Sequence, residues 1–255
     1  MFRVNDTGTV RTLVIDNPAR RNAIGADEWG GLADLFEEFE ASTARVLVIR
    51  GEGEDFCSGL DVGSGGVEGG MAGWTASMKA LARATRALFS STKPTIAAVD
   101  GVAAGAGINL ALCADLLISS DRARFTEVFV KRGLTLDFGG TWLLPRRVGM
   151  ARAKELALTG RVFGAAEALE YGIATEVVPA PELYARAMDL AGQLAAGAPL
   201  AQRFIKGGLN RSHEMSFEDA LAYESQAQSL LLTSEDAVEG LVSFLQKRPP
   251  EFRGR

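Results

Sequence analysis

The chain has 255 residues, a net charge of −5, 47% hydrophobic and 23% charged residues, a profile that suits one large globular domain or a domain with a small appendage. No basic block offers a footprint for nucleic acid or an anionic membrane, and no apolar run approaches membrane-spanning length. The single histidine, His213, and two cysteines without metal-site spacing, Cys57 and Cys113, speak against a histidine metal centre and a Ser-His-Asp hydrolase and predict a reduced, cytoplasmic protein. The opening MFRVNDTGTV is polar and has no apolar signal core. Acid–base work is left to Asp, Glu, Tyr or Lys, or to a cofactor.

In chain order, VRTLVI (10–15), RVLVIR (45–50), TIAAVD (95–100) and DLLISS (115–120) read as strands, rich in branched residues and bounded by turn signals. A helix lies between the first two, with Leu32, Leu35, Phe36 and Phe39 on one face. The glycine-rich VGSGGVEGGMAG (62–73) reads as a loop beside the site. A second helix over 71–89 follows, with Met71, Trp74, Met78, Leu81, Leu88 and Phe89 at helical spacing and expected in the core. Past about residue 145 the pattern turns helical, at 150–159, 165–171, 181–196, 198–209, 216–232 and 234–246, with one short strand in IATEVV (173–178). Alternation followed by helices predicts an α/β class.

One pattern occurs twice. RVLVIRG leads into EGEDFCSGLDVG, and TIAAVDG into VAAGAGINLALCAD, where Ile108–Leu112 reads as helix. A strand ending in a small-residue loop that feeds a helix exposes backbone N–H groups in a positive field. Two such donors converging on one oxygen form an oxyanion hole, worth roughly 3–4 kcal/mol per donor; alternatively, the glycines only permit tight turns. Gly105 and Gly107 begin a G-x-G, but Leu110 stands where a dinucleotide fingerprint needs its third glycine, and no phosphate-loop Gly-Lys-Ser/Thr occurs.

In GLTLDFGGTWLLP (133–145) a lone acid, Asp137, sits between Leu136 and Phe138. It is either a cap or turn residue facing water, or a carboxylate whose proton affinity is tuned for chemistry. Glu127 reads as a surface or structural acid, Asp115 as a local cap or partner, and Glu54 and Asp55 as solvated turn residues.

The segments NPARRNAIG (17–25), DFCSGLD (55–61), KPTIAAVDGVAAGAGINLALCADLLIS (93–119), GGTWLLPRRVG (139–149), ARAKELALTGRVFGAAEALEYGIATEVV (151–178) and FLQKRPPEF (244–252) resemble the enoyl-CoA hydratase/isomerase family, the crotonase superfamily. The resemblance covers almost the whole chain. It implies a crotonase-type, ClpP-like spiral of ββα turns over residues 1–195, which bind an acyl-CoA, and a helical trimerisation region over 196–255. It further implies homotrimers or hexamers and no cofactor beyond the coenzyme A carried by the substrate. It places the oxyanion donors at Ser58, before Gly59, and at Ala106, between Gly105 and Gly107. Arg21 and Ala23 are then expected along the pantetheine and phosphates, Leu60 and Asp61 near the adenine, and Lys247 at the CoA phosphates. Cys57 falls beside the oxyanion loop, where packing is the expected role.

Hydratases of the family carry two glutamates that activate water; the matching positions here hold Asn109 and Phe129. Neither an amide nor a phenyl ring takes a proton from water at neutral pH. Isomerases of the family carry an aspartate in a stretch that Asp137, Gly139 and Gly140 match, with Leu136 replacing a proline. The expected reaction is therefore a C3-to-C2 double-bond shift: Asp137 moves the proton, Asn109 orients acid or substrate, and the oxyanion pair holds the dienolate. The alternatives are a hydratase using Asp137 and Glu127, a dehalogenase with Asp137 as nucleophile, and a non-catalytic acyl-CoA-binding or assembly subunit.

Overall fold

Two sheets share the strands. In the larger, β1 (Phe2–Thr7) and β2 (Val10–Ile15) pair antiparallel, and β3 (Val46–Gly51), β4 (Thr95–Val99), β6 (Leu116–Ser120) and β9 (Glu176–Val178) follow in parallel. The smaller consists of β5 (Val102–Ala104), β7 (Arg124–Thr126) and β8 (Val162–Gly164). The computed structural model describes residues 1–63 and 68–255. Residues 64–67 of the glycine-rich stretch expected to be a loop lie outside the described residues.

Each turn of the chain climbs from the large sheet to the small one and returns through a helix. β4 leads to β5 and α3 (Ala106–Cys113); β6 leads to β7, then α4 (Gly140–Val148) and α5 (Met150–Thr159). The first turn runs from β3 through Cys57, which bridges in parallel to Ala103 of β5, and back through α2 (Gly70–Phe89); α1 (Trp29–Ala41) joins β2 to β3. This is the expected spiral of ββα turns. β1, β5, β7 and β8 are not evident in the sequence, because three of them are three-residue strands and β1 alternates polar residues at an exposed edge.

Side-chain alternation along the strands splits the core. Leu47, Ile49, Ala97 and Val99 face one cluster with Trp29, Phe36, Phe39 and Phe56. Val46, Val48, Ile96 and Ala98 face another, covered by Leu183, Ala187 and Ala191 of α7 (Leu183–Ala195). Three expectations for α2 change: Met71 is 87% exposed, and Trp74 and Met78 are each 37% exposed, while Leu81 and Leu88 are buried. The helical spacing is right, but only the C-terminal part of α2 rests on the core.

A short helix, α6 (Ala165–Glu170), links β8 to β9; α8 (Pro199–Arg211), α9 (Phe217–Leu231) and α10 (Glu235–Gln246) complete the helical end. Lys206 of α8 pairs with Asp115 at 2.8 Å, and Arg45 donates to the Phe252 carbonyl at 2.8 Å. Asp115 thus makes a long-range pair as well as bonds from the Thr95 main chain and hydroxyl. Among the described residues, no helix is long and apolar enough to cross a membrane.

The two strand–glycine–helix junctions pack at van der Waals contact. A Cβ on Gly107 would lie 2.1 Å from the Cys57 carbonyl oxygen. Gly107→Ala is expected to destabilise the chain by about 1–3 kcal/mol, as overpacking does. The measurement is the urea midpoint at unchanged slope. Gly30→Ala on α1, where nothing lies within 4 Å of the added carbon, is the control and should not lower the midpoint.

Candidate active site

The NPARRNAIG segment is a scaffold for the first junction. Asn22 is fully buried; its Oδ1 accepts from the Asn17 N–H, and its Nδ2 donates to the Glu52 and Asp55 carbonyls. Arg21 and Asn22 adopt left-handed backbone conformations, φ 52° and 56°. This turn aims the Arg21 carbonyl at the second loop, where the Ser58 N–H donates to it at 3.0 Å. The Ser58 amide is therefore committed and cannot be the oxyanion donor expected from the sequence.

Its neighbours settle which amides remain. Gly59 N–H points to the Cys57 sulfur at 3.4 Å, and Asp61 N–H donates to the Ile24 carbonyl at 2.9 Å. The Leu60 N–H has no acceptor among the described residues, nor does the Ala106 N–H at the start of α3. Gly59, at φ 89°, lies against the second junction: a Cβ there would sit 2.7 Å from the Ala104 oxygen and 3.2 Å from the Ala106 nitrogen. Only a residue without a side chain lets the loops approach so closely. The free pair is Leu60 and Ala106, two residues further along the first loop than the motif reading put it.

Both lie on a cavity of about 590 Å³ that also contains Ala23, Ser58, Asp61, Gly105, Phe129 and Asp137. Arg20, Arg21, Arg124 and Arg132 line it as well, opposed by Asp61 and Asp137. In a chain of net charge −5, this concentration of cations gives one cleft the opposite sign. Arg21 is mostly exposed and only 3.9 Å from Asp55, so its charge is available to a ligand. Asp55 is more than solvated: its Oδ1 accepts from the Val102 N–H at 2.8 Å and fastens the first loop to β5.

Asp137 also lines a second cavity of about 430 Å³, walled by Met78, Leu81, Thr85, Phe89, Gly139, Trp142 and Leu143. It is the one described residue common to both. Trp142 is half-buried at this wall, edge-on to Phe89 at 5.1 Å. Phe138 is buried against Trp29, at φ 45°, and this anchored left-handed turn leaves Asp137 at the waist between the cavities.

Asp137 is not a cap: Gly139 holds that position on α4, with no side-chain cap bond. Its Oδ1 is buried without a partner, and the residue as a whole is half-buried. Burial pushes its carboxyl up to about 7 from an ordinary 3.8. Asn109 is fully buried, and its Nδ2 donates to the Asp137 main-chain carbonyl at 3.0 Å and to Glu127 Oε2 at 3.4 Å. It lines neither cavity, and its contact with the acid is to the Asp137 main chain.

Glu127 corrects the surface reading. It is 0% exposed, and its carboxyl is raised to about 8 by burial and by the Asp137 charge, with Asn109 opposing. The sequence signal was weak: an acid between Thr126 and Val128 in a short strand end carries no periodicity that reveals its face. Cys57 is also fully buried, its thiol pushed up to about 12 by burial, and it lines neither cavity. It packs; it does not touch substrate space. Lys247 stands exposed at the C-cap of α10, at φ 53°, and lines neither cavity of this chain. Among the described residues there is no cluster of metal-ligating side chains.

Free amide donors, a cationic cleft and a raised carboxyl facing an apolar cavity suit an anionic carrier with a reactive acyl group. Residues 5–255 match the enoyl-CoA hydratase/isomerase family. A protein of Rhodobacter capsulatus named probable enoyl-CoA hydratase is 38% identical, over 95% of this chain and 94% of its own length. The 1,2-epoxyphenylacetyl-CoA isomerase of Escherichia coli K12 is 37% identical over 96% of this chain and 95% of its own, and carnitinyl-CoA dehydratases reach similar identity. The solved enoyl-CoA hydratase of Polaromonas sp. JS666 superposes with a TM-score of 0.94 at 31% identity, covering 99% of each chain. The chain belongs to the enoyl-CoA hydratase/isomerase family and processes acyl-CoA.

Proposed function

We propose that this chain is an enoyl-CoA isomerase that shifts a double bond from C3 to C2 of an acyl-CoA. One observation carries the reading: a single acid, Asp137, stands at the junction of a cationic cleft holding two free N–H donors and an apolar cavity. The CoA lies along the arginine-lined cleft, with Arg21, Ala23 and Asp61 beside it. The thioester oxygen sits between the Leu60 and Ala106 amides, and the acyl chain enters the cavity walled by Phe89 and Trp142.

The Asp137 carboxylate takes a proton from C2. The C–H electrons form a C1–C2 double bond, and the carbonyl electrons move onto the oxygen. The two amides bind this dienolate oxygen more strongly than the neutral carbonyl, which lowers the barrier. The electrons then return, the C2–C3 double bond forms, and Asp137 delivers the proton to C4. A carboxyl near 7 is both a competent base and a competent acid at neutral pH. A hydratase needs a second group to hold water. At the two hydratase glutamate positions stand the Phe129 ring and the Asn109 amide, and the amide is already committed to Asp137 and Glu127.

The chain is further proposed to work as a homotrimer or hexamer in the cytoplasm. The apolar residues exposed on α9 and α10, among them Phe217, Leu230, Leu241 and Phe244, support assembly through this end.

Incubation with a 3-enoyl-CoA is expected to give the 2-enoyl-CoA without mass gain, by chromatography and mass spectrometry. Asp137→Asn should lower kcat by about 10²–10⁴-fold, the usual worth of a general acid–base. Water addition to a 2-enoyl-CoA that survives this substitution would overturn the reading.

The tuned acid also costs stability. Its folded pKa lies above the ordinary 3.8, so its contribution is intact below about pH 4 and is lost as pH rises through about 7. Urea denaturation should therefore show Asp137→Asn gaining on the parent chain across this window, by at most about 1.4 kcal/mol for each pH unit climbed. Equal profiles would mean that Asp137 is solvated.

A further inference from the structure

Three buried oxygens without partners lie in one cluster behind the acyl cavity: Asn109 Oδ1, Glu127 Oε1 and Asp137 Oδ1. The cluster holds one donor group, the Asn109 amide nitrogen, and its bonds are accounted for at the Asp137 carbonyl and Glu127 Oε2. Three acceptors and no spare donor is an unstable arrangement in a dry interior. A proton on Glu127 converts one acceptor into a donor and relieves it.

We propose that Glu127 is a positioning acid of this site: it keeps a proton behind Asp137, so that the pair carries a single negative charge in the working state, and it holds Asn109 against the Asp137 main chain. The proposal rests on the reading of Asp137 as the base. Glu127 lines neither cavity and touches no substrate, so it acts through its neighbours.

The surroundings leave Glu127 little alternative. α3 presents the neutral Asn109 amide, and the 133–139 segment presents Asp137. Cys57, from the loop after β3, faces Asp137 as a thiol neutral up to about 12. Lys131, on the same turn as Glu127, passes Gly160 beside the Glu127 main-chain carbonyl and makes no ion pair with its carboxylate. Arg86 of α2 shares the acyl cavity with Asp137, and the arginines of the cleft share the other, but no ion pair joins a cation to either acid among the described residues. The Asp137 charge acts on Glu127, so one acid retains its proton, and the more deeply buried Glu127 is the one. Its ionisation would place a second negative charge beside the forming dienolate and slow the reaction.

The position is also sterically closed. A Cβ on Gly140 would lie 2.4–2.6 Å from the Asn109 amide atoms, so Asn109 is clamped between Gly140 and Glu127. Loss of the Glu127 acceptor frees one side of that clamp.

The test is the pH profile of kcat on a 3-enoyl-CoA, with infrared titration of the protonated carboxyl in isotope-labelled glutamate. The parent enzyme is expected to rise through about 7 and fall above about 8, with the infrared band disappearing along the falling limb. Glu127→Gln, still an acceptor for Asn109, should lose the falling limb and the band. Glu127→Leu should lower kcat roughly tenfold with little change in KM, as misorientation does. In Asp137→Asn the band should titrate at lower pH, because the repelling charge is gone. A falling limb that persists in Glu127→Gln, or a parent band absent at neutral pH, overturns the proposal. An Asp137→Asn enzyme that still isomerises overturns the reading of Asp137 instead, and the infrared midpoint still decides whether the two acids are coupled.

Discussion

The contact between the ends of the first two spiral turns governs this molecule. The Cys57 carbonyl accepts from Ala104, Cys57 bridges to Ala103, and Gly59 and Gly107 remove the side chains that would hold the loops apart. Main-chain polar groups in such a contact are normally all paired. Here the geometry uses up the amides of Cys57, Ser58, Gly59 and Asp61 and leaves Leu60, like Ala106, without an acceptor among the described residues. The unpaired state of these two amides is tolerable because they open on a cavity. The rest of the site is arranged around the place where their acceptor would lie.

The acids follow a different logic. A protein interior has few ways to keep a carboxyl out of water: pair it with a cation, neutralise it, or give it donors. Asp115 takes the first way with Lys206, and Asp100 does so with Arg122. Asp137 and Glu127 have no ion pair among the described residues and few donors, and their proton affinity rises instead. That contrast within one chain separates acids paired within the fold from two acids whose proton affinity is raised, the mark expected of acids in a functional site.

Much of this is legible in the sequence. Branched runs locate the four long central strands, and helical spacing locates the helices, because both depend on local periodicity. Asp137 stands out because a charge in an apolar run contradicts its neighbours. Ser58 misleads because a motif names a loop, while the free donor is set by the remote Arg21 carbonyl that occupies the Ser58 amide. Glu127 escapes for a related reason: its environment is created by Asn109 and Asp137, eighteen residues before it on α3 and ten after it in the next loop. Met78 follows the helical spacing expected of a core residue, yet the space it faces is a cavity. Periodicity reports which side is inward and is blind to what lies there.

The waist at Asp137 divides the two cavities between parts of the chain that share no other described wall residue. Loops after β2, β3 and β5, with β7 and the segment after it, line the cationic cleft; one side of α2 and the start of α4 line the apolar cavity. Drift along α2, at positions such as Met78 or Phe89, can therefore reshape what is accepted while leaving the carrier grip and the reacting centre as they are. Such a division makes the fold evolvable: a lineage can explore new acyl groups by single substitutions without passing through an inactive ancestor.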